Sequence, residues 1–304
     1  MLMNTQLNHH SHSAFGALTT AMVTPFSSDG ALDFARAREL AQRLVEQGTT
    51  ALVVVGTTGE SPTVTRDEKL QLFGEVKSAV DVPIIANIGS NDTAASIQMA
   101  RDAKNVGVDA LLAVVPYYNR PNQEGLFQHF EAIASATDLP IVLYNLPGRT
   151  SRNMEPQTVA RLSEIDNIIG IKDSSGDPNQ WSRTKMLCRD DFELISGNDA
   201  DTLPMLALGA SGVTSVISHI AGAQMKAMCE AYWRGDGATA LEIHLRLLPV
   251  VDALFPPTSP SPIPIKAALK LQGFSCGGLR LPLIEATESE VENLRVAMTD
   301  AGLL

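Results

Sequence analysis

Residues 168–176 read Ile168-Ile169-Gly170-Ile171-Lys172-Asp173-Ser174-Ser175-Gly176. An almost wholly apolar run ends on a lysine and gives way at once to polar, turn-forming residues. A short run without polar alternation is the pattern of a strand covered on both faces, as in a parallel sheet. The seven other lysines fall in segments that read as helical and largely polar. Lys172 alone reads as set at the mouth of a buried strand. Burial penalises the charged form of an amine, and a neutral amine attacks ketones and aldehydes. A Schiff-base lysine is one reading of the run. The other is a lysine paired with a carboxylate or binding a substrate phosphate.

Seven similar runs flank this one: Ala17–Val23, Ala51–Val55, Pro83–Asn87, Ala110–Val115, Pro140–Tyr144, Phe192–Ser196 and Gly212–Ile217. The eight starts lie 20 to 34 residues apart, the length of a strand-helix unit. Helical periodicity fills the intervals. Residues 33–47 place Phe34, Ala37, Leu40, Ala41, Leu44 and Val45 on one face, with Asp33 as N-cap. Thr65 and Glu68 form a capping box that opens a helix to Val80. Gly48, Gly107 and Gly209 follow helical stretches as C-terminal caps. Eight units predict an α/β fold, a (β/α)8 TIM barrel over residues 14–224. A doubly wound open sheet competes, but the chain has neither GxGxxG after its first strand nor GxxxxGK[ST] anywhere. Beyond the barrel, Met225–Trp233, Ala238–Leu254, Pro264–Gln272 and Glu288–Ala301 read as helices. They predict a C-terminal helical extension over 225–304, interrupted by the proline-rich stretch from Pro256 to Pro262.

Composition narrows the class. The chain has 304 residues, 44% hydrophobic and 19% charged, as in an ordinary globular protein. A net charge of −11 argues against nucleic acid and anionic membrane surfaces as partners. Cys188, Cys229 and Cys276 are widely spaced and lack a CxxC, which fits free thiols in a reducing compartment. His9, His10 and His12 sit in a polar leader; His129, His219 and His244 are isolated, so no metal site is expected. Residues 1–13 lack the apolar segment of a signal peptide and are expected to be a disordered tail. No run is long enough to span a membrane, and the expected location is the cytoplasm.

In such a barrel the residues after each strand form the active site. Gly56-Thr57-Thr58-Gly59-Glu60-Ser61 follows the second run. Its glycines allow a tight turn, and its hydroxyls and amides suit a carboxylate; an ordinary capped turn is the alternative. Pro116-Tyr117-Tyr118-Asn119-Arg120-Pro121 follows the fourth run, where adjacent tyrosines suggest a rigid exposed element or an oligomer contact. Tyr144-Asn145-Leu146-Pro147-Gly148-Arg149-Thr150 follows the fifth. The fifth and sixth strands are expected to be neighbours, so Tyr144 and Lys172 would end adjacent strands at similar height, a phenol beside an amine. Arg149 could bind a second carboxylate or form a surface ion pair. Ser196-Gly197-Asn198-Asp199 and Ser218-His219 end the last two runs without a basic residue, which disfavours a phosphorylated substrate. Alternation sends Asp173 to the opposite face from Lys172. A buried amine, a phenol, a hydroxyl-rich nest and an arginine around one barrel mouth describe an enzyme acting on an α-keto acid through an imine.

The segments Gly56–Ser61 (GTTGES), Pro116–Pro121 (PYYNRP), Tyr144–Thr150 (YNLPGRT) and Ile171–Gly176 (IKDSSG) resemble the dihydrodipicolinate synthase and N-acetylneuraminate lyase family of class I aldolases. Thr20–Phe26 (TAMVTPF) and Arg280–Leu283 (RLPL) are similar to it as well, so the resemblance spans about residues 15–304. It implies that Lys172 forms a Schiff base with pyruvate and that Tyr144 passes protons to it. It implies that Thr57 links Tyr144 to Tyr118, which reaches in from a neighbouring subunit of a homotetramer built as a dimer of dimers. Thr58 would hold the pyruvate carboxylate, and Arg149 the carboxylate of L-aspartate-4-semialdehyde. Gly197 and Thr214 would offer backbone carbonyls near the imine. The reaction implied is the first committed step of diaminopimelate and lysine biosynthesis, with no cofactor. Thr57-Thr58 and Arg149 favour this electrophile over N-acetylneuraminate; aldolases of keto-deoxy sugar acids or hydroxy-oxoglutarate stay open. A catalytically silent binding barrel is the alternative of another class.

Departures from the family pattern concern regulation. Ser61, Asn91 and Tyr117 match an allosteric L-lysine pocket, but Lys69 stands where lysine-sensitive members carry His, and Ala95 where they carry Glu. The expected result is weak or absent feedback inhibition. Ser261 stands where many members have Asn, and no function is attached to it.

Overall fold

The computed structural model describes residues 13–304. The polar leader with His9, His10 and His12 lies outside the described residues; Ser13 is buried, and its hydroxyl accepts the Phe15 N–H at 3.1 Å. Eight strands are present: β1 (Leu18–Ala21), β2 (Ala51–Val54), β3 (Ile84–Asn87), β4 (Ala110–Val114), β5 (Ile141–Asn145), β6 (Ile168–Asp173), β7 (Glu193–Ser196) and β8 (Gly212–Ser215). Each pairs in parallel with the next, and β8 pairs with β1, so the barrel closes. Each strand coincides with one of the eight apolar runs, β5 and β6 extending one residue beyond theirs, to Asn145 and Asp173.

Helices α1 (Phe34–Glu46), α2 (Arg66–Ala79), α3 (Thr93–Val106) and α4 (Gln123–Ala134) return the chain between successive strands. A single turn, α5 (Pro147–Thr150), precedes α6 (Pro156–Ser163); α7 (Pro178–Leu187) and α8 (Thr202–Ala207) follow. Local chemistry sets their ends. The Asp33 carboxylate caps α1 by accepting the Arg36 N–H at 2.9 Å. Thr65 and Glu68 form both halves of a capping box on α2, and Gly107 closes α3 in the left-handed region at φ 90°. The C-terminal layer comprises α9 (Ser218–Trp233), α10 (Gly237–Leu254), α11 (Ile263–Leu271) and α12 (Glu288–Asp300). Met225, the expected start of the extension, falls inside α9, which is kinked at Ala221 but continues. Among the described residues no helix is long and apolar enough to cross a membrane.

Apolar side chains form two layers. Ala51, Val53, Ile85, Leu112, Val142, Tyr144 and Ile195 fill the barrel interior, with Phe15 among them. The larger layer lies between the strands and the surrounding helices. Two strands, β1 and β8, end two residues earlier than their apolar runs. After β1, the Val23 N–H leaves the ladder for Nε2 of His219 at 3.1 Å. After β8, the N–H groups of Val216 and Ile217 both go to Oδ2 of Asp199 at 3.0 Å. Side-chain acceptors from other elements terminate pairing there, although the residues remain apolar.

One irregularity aims the key lysine. Ile141 pairs with Ile168, but Val142 pairs with Gly170, so β6 carries one extra residue. A one-residue slip reverses every side chain beyond it. Without the bulge, Lys172 would pair with Asn145, whose side chain bonds outside the barrel to Asp173. With it, Lys172 pairs with the inward-facing Tyr144.

Candidate active site

Lys172 and Tyr144 are paired in register, each one residue from the end of its strand, and each is 5% exposed. The Lys172 Nζ stands 4.2 Å from the centroid of the Tyr144 ring. Lys172 takes part in none of the ion pairs among the described residues. Asp173, next in sequence, points away as alternation requires. Its carboxylate accepts from Trp181 Nε1 (2.9 Å), Asn145 Nδ2 (3.0 Å), Gln180 Nε2 (3.1 Å) and the Ser175 N–H (2.8 Å). These bonds hold the strand end that presents the lysine.

Gly197, the residue just after β7, abuts the lysine. Its N–H donates to the Asp173 carbonyl at 2.9 Å, and a Cβ there would lie 3.1 Å from Lys172 Cε and 2.0 Å from Ser174 Oγ. Only glycine lets the backbone approach the lysine stem this closely. Thr214, buried on β8, is in register with Thr19 of β1. Asp199 lies two residues beyond Gly197. Burial raises its carboxyl pKa, while bonds from Ser215, Ile217 and Val216 and the charge of Lys172 oppose the rise. Asp199 is near enough to Lys172 to interact through its charge without forming an ion pair.

The remaining candidates divide. Thr57, Ser61, Tyr117 and Arg149 line one cavity of about 190 Å³, together with Asn87, Leu146 and Thr150. Thr58 is buried beside it. Arg149 Nη2 donates to the Ser261 carbonyl at 3.4 Å, and the Ser261 hydroxyl lies 3.5 Å from Thr58 Oγ1. Ser261, passed over in the sequence, thus joins the loop after β2 to the turn α5. Nothing local marks it, because its two partners are more than a hundred residues away. Tyr118 does not join the others within this chain: it is 91% exposed and held at φ 72°.

Around Ser61, Lys69 Nζ (3.0 Å) and Asn87 Nδ2 (3.2 Å) both donate to the hydroxyl. Burial lowers the Lys69 pKa. Asn91 offers its carbonyl to Asn119 Nδ2 at 2.8 Å, and Ala95 is exposed on α3. One lysine corrects the sequence reading: Lys266 is not on a polar surface but buried on α11 against Glu60. Among the described residues no three His, Cys, Asp or Glu side chains gather to hold a metal ion.

A family model described as the dihydrodipicolinate synthetase family matches residues 14–301. The chain is 50% identical over 292 residues to a 4-hydroxy-tetrahydrodipicolinate synthase of Moorella thermoacetica, covering 95% of this chain and 99% of the relative. A crystal structure of dihydrodipicolinate synthase from Cyanidioschyzon merolae with lysine bound superposes with a TM-score of 0.93 at 45% identity, covering 95% of this chain and 99% of that one. A monomeric dihydrodipicolinate synthase variant superposes with a TM-score of 0.92 at 43% identity, covering 95% and 97%.

Proposed function

Because the chain belongs to the dihydrodipicolinate synthetase family, we propose that it catalyses the reaction its relatives are named for, condensing pyruvate with L-aspartate-4-semialdehyde through an imine on Lys172. The observation that carries this reading is the in-register pair of Lys172 and Tyr144 inside the barrel mouth, amine over phenol. The Lys172 amine adds to the pyruvate ketone and water leaves, giving the Schiff base. Tyr144 passes protons during that step and during loss of a methyl proton, which yields the enamine. The enamine carbon then bonds to the aldehyde carbon of the semialdehyde. The amino group of that product displaces Lys172, closing the ring and restoring the enzyme. Imine chemistry of this kind needs no metal or organic cofactor.

Thr58 receives the pyruvate carboxylate and Arg149 that of the semialdehyde; their shared neighbour Ser261 supports a common mouth. Gly197 and Thr214 present backbone carbonyls near the imine. Thr57 links Tyr144 to Tyr118 of a neighbouring subunit. The exposure of Tyr118 and its left-handed backbone, unusual for a tyrosine, support a role completed by a second copy within a homotetramer.

The test is borohydride reduction after incubation with pyruvate, followed by intact mass and peptide mapping. One pyruvyl adduct on Lys172 is expected, and none in a folded Lys172→Ala variant. An adduct on another lysine, or no adduct at all, would refute the mechanism.

A further inference from the structure

We propose that Lys266, in the C-terminal layer, is a positioning residue for the loop Gly56–Ser61, acting through Glu60 to hold Thr57 and Thr58 in place. The inference rests on the reading above, in which Thr58 receives the pyruvate carboxylate.

The loop is held in a costly conformation. Val55 and Glu60, at its two ends, both sit in the left-handed region at φ 57°. A β-branched residue there is strained, and such backbone persists only where surroundings over-determine it. Inside the loop, a Cβ on Gly59 would fall 2.8 Å from Val55 Cα, so the two ends nearly touch. Glu60 N donates to the Thr57 carbonyl at 3.1 Å, tying the glutamate directly to the first threonine.

Glu60 is gripped from outside the barrel. Its carboxylate meets Lys266 Nζ at 2.7 Å and accepts the Arg280 N–H at 3.1 Å. The two side chains are 1% and 4% exposed, the most buried ion pair among the described residues. Lys266 is fixed in turn by the Gly278 carbonyl at 2.8 Å and by the Phe26 ring, 4.5 Å away. Arg280 holds the far side of the same segment through the Thr63 carbonyl at 2.7 Å.

A buried ion pair adds little stability over apolar groups of equal volume. What it supplies is direction: each charge is satisfied in one place only. Without Lys266, Glu60 has reason to leave its pocket and its left-handed conformation. Thr57 and Thr58, bound to it by one turn, then shift relative to Lys172.

The experiment measures borohydride-trapped adduct against pyruvate concentration in Lys266→Met, Lys266→Arg and the double variant Glu60→Gln/Lys266→Met, with thermal unfolding alongside. Lys266→Met is expected to raise half-saturation by pyruvate at least tenfold while the maximal adduct stays near one per chain. Lys266→Arg is expected to recover part of the affinity. The double variant leaves no buried unpaired charge, so it tests the idea if Lys266→Met fails to fold; it is expected to fold and keep the affinity defect. Folded variants with unchanged half-saturation, whatever their melting temperature, would overturn the inference. Absence of an adduct in the unsubstituted protein would instead refute the mechanism beneath it.

Discussion

Replacing Gly197 with alanine tests the packing around Lys172 directly. The added Cβ would stand 3.1 Å from Lys172 Cε, against a carbon–carbon optimum of about 3.5–4.0 Å. The backbone is not free to retreat, because the Gly197 N–H is bonded to the Asp173 carbonyl at 2.9 Å. The lysine stem must yield, by roughly 0.5 Å at Cε and more at Nζ beyond it. A misplacement of about 1 Å can lower a rate by around a hundredfold, so a loss of about tenfold to a hundredfold is expected, or roughly 1.4 to 2.7 kcal/mol in the barrier. The same Cβ falls 2.0 Å from Ser174 Oγ, a buried hydroxyl without a hydrogen-bond partner. That overlap should cost about 1–3 kcal/mol of stability unless the hydroxyl rotates away. The two effects separate in Ser174→Ala/Gly197→Ala, which relieves the serine clash but keeps the lysine contact. The assay is the single-turnover rate of adduct formation with pyruvate, read by quenching with borohydride, together with a melting curve. Stability should return in the double variant and the rate should not. If the rate recovers with stability, or if Gly197→Ala works within twofold of the unsubstituted enzyme, the close approach to Lys172 has no part in the chemistry.

Tyr118→Phe should lower turnover at least tenfold with little change in melting temperature, since the side chain is solvent-exposed in a single chain; full activity would remove the cross-subunit relay. L-Lysine should not inhibit at submillimolar concentration in a steady-state titration. The Lys69 ammonium at Ser61 would repel the ligand's by about 3 kcal/mol at roughly 5 Å and an effective dielectric near 20, and submillimolar inhibition would reject this. Stability should fall in mild acid. Burial lowers the His219 pKa from 6.5 to about 4, opposed by its bond to the Val216 carbonyl, and the ring must stay neutral for Nε2 to accept the Val23 N–H. The contribution, roughly 3 kcal/mol, is fully present above about pH 6.5 and is lost as pH falls from there through about 4. Urea midpoints at several pH values should show this slope, flatter in His219→Gln; equal slopes would clear His219 of the effect.

Much of this molecule was legible before any coordinates. The capping box at Thr65, the cap at Asp33 and the eight apolar runs are local signals, carried by spacings within a few residues, and strands and helices followed them to within a few positions. The order of strands in a parallel barrel follows chain order, so even the neighbourhood of Tyr144 and Lys172 could be read. What resisted reading depends on residues far apart. The ends of β1 and β8 are set by His219 and Asp199, which take the N–H groups of Val23 and of Val216 and Ile217. Lys266 looks like a helix-surface lysine until Glu60, some two hundred positions earlier, is placed against it. Ser261 acquires neighbours only when the proline-rich linker folds back over the mouth. The inward aim of Lys172 itself is of this second kind. Its place at the end of a strand is written in Ile168–Lys172, but which face it takes hangs on one extra residue in β6, and that register exists only once β5 lies beside it.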